Sequence, residues 1–401
     1  MLRINEINIR NINSITSLNL RLQPGVNILC GTNGIGKTTI LDCIQYSTLP
    51  RMNPRMNPLR NNIRRTVNSS DSFYSINATV NEHEDDFFLD LINEPDFHAS
   101  QEINRINSRK LIYLNISDRN QRTPLRLRIN EEGRIRVMST YDLIKRWFYR
   151  CYYKKKNMSE ETFENLLLAK KVFNKLDPNV TFVEATEKYE EDYNNDMVKF
   201  IEIMVKTQRG TINMDFLSSG YRACFSILFG IIRHVEERYN IPVENFDGVV
   251  LIDEIDLHLH PEWQTKIVGI LKWLIPNAQI IITTHSPHVI QNAEKGEIVP
   301  LGIDGNNNMF IRNLPESSEY GYQGWTIEEI LVHVMGLNNP KSKVFLKKIK
   351  SFEEALDKED IAAIKENYYA LDSMLHSRNP LSTVLRIQAE EFLEEEEVGD
   401  E

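Results

Sequence analysis

Residues 253–263 read DEIDLHLHPEW: three carboxylates, two histidines two positions apart, then proline. These residue types allow a metal centre, an acid/base pair, or one edge of a larger site. His258 and His260 pair poorly as ligands, because residues two apart point to opposite sides of a strand or about 200° around a helix. No cysteine or third histidine lies close to them in sequence, so a dedicated zinc site is the weaker reading. The run before them, FDGVVLIDE, is an apolar strand ending in two acids. An acid at a strand end suits the water shell of Mg²⁺, and a second acid beside it can polarise an attacking water. Asp253 and Glu254 take those two roles if a phosphate cradle exists elsewhere in the chain.

Gly31-Thr32-Asn33-Gly34-Ile35-Gly36-Lys37-Thr38 supplies one. An apolar strand, VNILC, runs into it and a helix-forming stretch follows, which is the context such a loop requires. Its glycines let successive backbone N–H groups face phosphates at a helix N-terminus. Asn33, Gly34, Gly36 and Thr39 are candidate phosphate contacts. Lys37 offers a point charge to the β- and γ-phosphates, and the Thr38 hydroxyl suits Mg²⁺. ATP and Mg²⁺ are the expected ligands.

Two further stretches belong with these. FLSSGYRACFSILFGIIRHV places Ser218-Ser219-Gly220 at a helix N-terminus, a second anion-binding device. A single chain has little use for two phosphate cradles around one nucleotide unless one of them serves a neighbouring subunit. AQIIITTHSPHVI is a buried strand that ends near His285, well placed to sense a γ-phosphate.

In the order GTNGIGKT, LSSGY, VVLIDEIDLHLHP, TTHSP, the chain resembles ATP-binding-cassette ATPases of the RecF/SMC/OLD type, the AAA15/AAA21-like group. The resemblance covers residues 1–50 and 210–303. It implies that Ser218 and Gly220 form a signature loop reaching the γ-phosphate on an opposite subunit. It further implies that Asp256 is the D-loop acid at a dimer interface and that His285 is the switch histidine. Two positions depart from the pattern: Ser219 stands where glycine is common, and Tyr221 where glutamine is common. No glutamine is recognisable as the Q-loop residue, since Gln45 falls inside the helix after the phosphate loop.

The elements needed to position these groups are legible as an α/β pattern. LRINEINI and SLNLRL alternate with period two, SINATV and LIYLNI read as short strands within a polar stretch at 50–135, and 140–175 reads as helical. A hairpin turning at Gly210 is followed by helix, strand (248–252), helix (261–274) and strand (278–283), and beyond about 325 the pattern is helical. The expected fold is an ABC-ATPase-like phosphate-loop core of mixed sheet and flanking helices, with a helical insertion and a C-terminal helical appendage. The expected divisions are 1–139 (first half of the core), 140–198 (mostly helical insertion), 199–312 (second half) and 313–401 (helical region with an acidic tail).

Composition narrows the class. The formal charge of −10 is concentrated in the last twelve residues, which carry eight carboxylates and no Lys or Arg, leaving the rest near −2. Four scattered cysteines form no CxxC pair, which fits a reducing cytoplasm. The absence of a long apolar run argues for a soluble chain without membrane contact.

YDLIKRWFYRCYYKKKN (141–157) interleaves Lys145, Arg146, Arg150, Lys154, Lys155 and Lys156 with aromatics, a pattern able to hold DNA or RNA; the alternative is an amphipathic lid helix. A second basic cluster, Arg51 to Arg65, lies on an expected loop. The chain lacks heptad arms and shows no nuclease constellation. It therefore looks like the ATPase subunits of antiphage systems, self-assembling with ATP and gating a separately encoded nuclease such as an HNH or Toprim protein. A RecF-like repair ATPase is the alternative, and a transporter subunit the third reading.

Overall fold

A computed structural model describes residues 1–48, 63–64, 71–80, 83–90, 94–98, 110–114, 127–128, 140–153, 158–191, 197–305, 308–337 and 341–393. In chain order the first half runs β1 (Leu2–Ile12), β2 (Ile15–Arg21), β3 (Val26–Cys30), α1 (Lys37–Thr48), β4 (Phe73–Val80), β5 (His83–Asp90), β6 (Glu94–His98), β7 (Leu111–Leu114) and β8 (Leu127–Arg128). There follow α2 (Thr140–Tyr153), α3 (Glu160–Leu176), β9 (Thr181–Glu191), β10 (Met197–Thr207), β11 (Gly210–Asn213), α4 (Ser219–Tyr239) and β12 (Val249–Ile252). The remainder comprises α5 (Pro261–Gln264), α6 (Ile267–Leu274), β13 (Gln279–Thr283), α7 (Pro287–Gln291), β14 (Ile298–Ile303), β15 (Met309–Ile311) and, after a short helical segment at 327–334, α8 (Lys343–Asp357), α9 (Ile361–Met374) and α10 (Pro380–Leu393).

The central sheet has the order β15-β14-β3-β13-β12-β7, and every pairing in it is parallel except β14 with β15. Every residue of β3, β12 and β13 is buried, as expected for parallel strands covered on both faces. Their near-continuous Val/Ile/Leu content is what makes that burial favourable. Because β3, β13 and β12 are parallel neighbours, the phosphate loop, the Thr283–His285 segment and the Asp253–Glu254 pair all leave the sheet at the same edge. Loops at the carboxyl ends of parallel strands are where such sheets bind ligands.

One face is covered by the antiparallel sheet β2-β1-β4-β5-β6 with α1 between the layers; Ile4, Ile7, Ile9, Ile40, Leu41, Ile44 and Ile76 form this core. Gln279 fastens the layers. Its buried amide donates to Ile4 O (2.8 Å) and Gln23 O (2.8 Å) and accepts from Ile4 N (2.7 Å).

The opposite face is covered by α4, flanked by α2, α3 and α6. Phe148, Phe173, Phe225 and Phe229 interlock there, with ring centroids 4.8 to 6.0 Å apart. α4 ends at Asn240, which takes the left-handed conformation that closes a helix (φ 50°). β9 and β11 flank β10, the latter pair forming the hairpin that turns at Gly210.

The chain divides into two compact units after Leu337. Tyr322, Ile330, Val334 and Met335 belong to the core of the first, so residues 313–337 are part of that unit. α8, α9 and α10 form the second unit around Phe352, Ile364, Leu371 and Leu385. Among the described residues, no helix is long and apolar enough to cross a membrane.

Candidate nucleotide site

The loop between β3 and α1 curls as its glycines allow. Gly36 has φ 106°, a conformation that L side chains rarely adopt, and a Cβ there would lie 2.8 Å from the Ile15 side chain. Lys37 folds its ammonium back across the loop, donating to Gly31 O and Thr32 O at 3.0 Å each. Burial lowers its pKa to about 8, against smaller opposing effects from Cys30, Glu254, Asp253 and Asp256. The ammonium still carries its charge at neutral pH, and an arriving polyphosphate would favour that charged form.

Asp253 follows β12 directly and is 2% exposed. The Thr38 hydroxyl lies 3.1 Å from both carboxylate oxygens, and the Thr283 hydroxyl donates to Oδ1 at 2.7 Å. Thr283 Oγ1 in turn accepts the Glu254 N–H at 2.6 Å, so one threonine holds both acids. Glu254 sits at φ 47°, an uncommon conformation for a residue with a side chain, and it lines the cavity above the loop. A hydroxyl and a carboxylate converging from α1 and β12 form an all-oxygen donor set, and this fits Mg²⁺.

Asp256, three residues on, accepts the Thr284 hydroxyl (2.5 Å) and the His285 N–H (3.1 Å) on one oxygen. It thereby ties the turn after β12 to the segment after β13. The His285 imidazole has its pKa lowered, first by burial and then by Lys37. A cavity of about 560 Å³ is walled by Asn33, Gly34, Gly36, Lys37, Thr38 and Thr39 from the loop, together with Glu254, Asp256 and His285. Three separate stretches of sequence thus meet around one space. Ser14, in the β1–β2 turn, also lines it, and nothing in the sequence marks that residue. Thr283 was equally unmarked by residue type, although it stands within TTHSP.

Ser218, Ser219 and Gly220 lie outside this cavity. Ser218 and Ser219 are exposed, and Ser218 stands at the N-cap of α4, its side chain making no bond to the helix. Gly220 is required by packing: a Cβ there would fall 2.1 Å from a Trp263 ring carbon. Tyr221, in place of the commoner glutamine, lies with its ring 4.3 Å from that of Trp263, and its hydroxyl bonds Asp177.

The basic and aromatic stretch at 141–157 divides. Lys145 is 2% exposed and paired with Asp215 at 2.5 Å, Phe148 is buried in the aromatic core, and the Trp147 indole donates to Glu236. These three cannot face a nucleic acid, because α2 is amphipathic and turns them inward. Arg150 and Tyr153 are exposed. Lys154, Lys155 and Lys156 lie outside the described residues, as does most of the Arg51–Arg65 cluster. His260 caps α5 by accepting the Glu262 N–H (3.3 Å), and His258 sits in the adjoining turn at φ 66°. Among the described residues, no group of three His, Cys, Asp or Glu could hold a metal on its own.

Three comparisons relate the chain to known proteins. A family model described as "AAA domain, putative AbiEii toxin, Type IV TA system" matches residues 26–291. The chain is similar to a Septu protein PtuA of Bacillus thuringiensis, at 34% identity over 98% of this chain and 99% of that protein. It is also similar to a probable ATPase of retron Ec83 from Escherichia coli, at 30% identity over 32% of this chain and 23% of that one. Among solved structures, an SMC head bound to the C-winged helix domain of ScpA aligns at 17% identity with a TM-score of 0.49, covering 77% of this chain and 97% of that one.

Proposed function

The chain belongs to the AAA domain, putative AbiEii toxin, Type IV TA system family, and from that premise we propose that it is an ATP-hydrolysing component of an antiphage defence system. The observation that carries this reading is the convergence of Lys37, Thr38, Glu254, Asp256 and His285 on one cavity, with Asp253 buried behind it. Thr38 and Asp253 would hold Mg²⁺, which, when bound, neutralises charge on the phosphates. Lys37 and the loop N–H groups bind and orient the phosphate chain. Glu254, fixed at its backbone by Thr283, orients the attacking water and accepts its proton. His285, positioned by Asp256, lines the same cavity as the group that meets the terminal phosphate.

The chain works as an ATP-bound dimer or larger assembly. Supporting this, the Ser218 hydroxyl is exposed, makes no bond to its own helix, and lies outside its own cavity. In a second copy's site, Ser218, Ser219 and Gly220 would add hydrogen bonds to the terminal phosphate, making ATP an interfacial ligand. The likeness to a Septu protein and a retron ATPase supports the defence setting. In this reading, nucleotide state gates a separately encoded nuclease of HNH or Toprim type.

Glu254→Gln tests the core of this reading. The variant should keep ATP and Mg²⁺ bound, since Lys37, Thr38 and Asp253 are untouched. Hydrolysis should fall roughly 10²–10⁴-fold, the usual worth of a general base. A phosphate-release assay that returns the wild-type rate for this variant rejects Glu254 as the base.

A further inference from the structure

We propose that Gln264 is a positioning residue that locks the His285 segment to the Asp256 turn; this rests on the nucleotide reading above. Gln264 is the last residue of α5 and does not line the cavity. Its amide is nevertheless used at both ends. Nε2 donates to Leu259 O (2.9 Å) and, more weakly, to Asp256 O (3.4 Å), while Oε1 accepts the Ser286 hydroxyl (2.6 Å).

Ser286 N donates to Thr284 Oγ1 (3.0 Å), and Thr284 Oγ1 donates to Asp256 Oδ1 (2.5 Å). The bonds therefore close a ring: Asp256, Gln264, Ser286, Thr284 and back to Asp256. His285 is the residue this ring encloses, and its own N–H is tied to Asp256 at 3.1 Å. Without Gln264, the Asp256 turn and the His285 segment would still touch through Thr284, but their separation at the Ser286 end would no longer be fixed.

The post that carries Gln264 is itself anchored. Its neighbour Trp263 is held on the far side by Gly220, which approaches too closely to tolerate a Cβ, and by the Tyr221 ring. A four-residue helix pinned on one side by aromatic packing can hold a loop on the other to within the tolerance that catalysis requires. Gln264 never meets the nucleotide; its effect runs through His285.

The test is steady-state ATP hydrolysis by the full chain carrying Gln264→Leu, Ser286→Ala, or both, alongside wild type and Glu254→Gln. Leucine fills similar space but offers no hydrogen bond. In Gln264→Leu, kcat should fall about tenfold, on the scale of a lost hydrogen bond, while KM for ATP stays near wild type. The double variant should lose less than the sum of the two single losses, because both cut the Gln264–Ser286 bond. Ser286→Ala also removes the hydroxyl that caps α7 by accepting the His288 N–H (3.1 Å) and the Val289 N–H (3.4 Å). Unchanged kcat in Gln264→Leu, a parallel loss of affinity for ATP, or additive losses in the double variant would each overturn the positioning role. Wild type hydrolysing no faster than Glu254→Gln would overturn the nucleotide-hydrolysis reading itself and the clamp with it.

Discussion

At the scale of single residues, Lys37 makes a prediction that the loop pattern alone does not. Burial lowers its pKa to about 8, from an ordinary 10.5. In the free chain the ammonium is charged below pH 8 and discharges as pH rises past it. A bound triphosphate favours the cation, so binding above pH 8 must take up a proton. ATP affinity should therefore weaken between pH 8 and 10. Calorimetry at pH 8.5 in buffers of different ionisation enthalpy should show proton uptake that Lys37→Arg removes, because arginine stays charged. Binding enthalpies that do not depend on the buffer would contradict the shift. Lys37→Ala should lose productive ATP binding outright, having no charge to offer the phosphates.

At the scale of elements, α4 has two duties that different substitutions separate. Its buried flank carries Phe225 and Phe229 into the aromatic core with Phe148 and Phe173, so Phe229→Ala should cost about 3–5 kcal/mol in denaturant unfolding. Its N-terminus carries Ser218-Ser219-Gly220 and is seated on Trp263. Gly220→Ala would drive a methyl against that ring, where it would lie 2.1 Å from the nearest carbon. Overpacking of this kind costs about 1–3 kcal/mol. The seat must shift, so the variant should lose ATP-driven assembly while single-chain ATP binding persists. A Gly220→Ala chain that melts and assembles like wild type would show that the seat is compliant.

At the scale of the whole molecule, the placement of the proposed phosphate cavity and the proposed signature loop decides the assembly prediction. The cavity and the Ser218 loop are separate places on one chain, so an ATP molecule that uses both must sit between two copies. The Glu254→Gln chain, which keeps ATP, should therefore gain mass with ATP in size-exclusion light scattering. Ser218→Arg in that background should abolish the gain without touching the phosphate loop. Equal mass with and without ATP in both chains would remove nucleotide-driven dimerisation, while leaving a constitutive dimer able to hydrolyse.

The sequence by itself determined the strands and the chemistry at their ends. VNILC, VVLI and QIIIT are apolar throughout because both faces of a parallel sheet are buried, and the motifs stand directly after them. It likewise marked Lys37, Thr38, Asp253, Glu254 and His285 as candidates, because their types and neighbours suit phosphate and metal chemistry. What it could not carry was anything whose role is fixed by a partner distant along the chain. Thr283 reads as one threonine among many until Asp253 and Glu254 are placed against it. Gln264 is an unremarkable helix residue until the ring through Ser286 and Thr284 closes. Lys145 looked like a surface cation because charge is read locally; only the fold brings Asp215, seventy residues away, to bury and neutralise it. Local pattern reports which groups face a ligand or a core. The contacts that aim those groups are long-range, and only tertiary structure decided them.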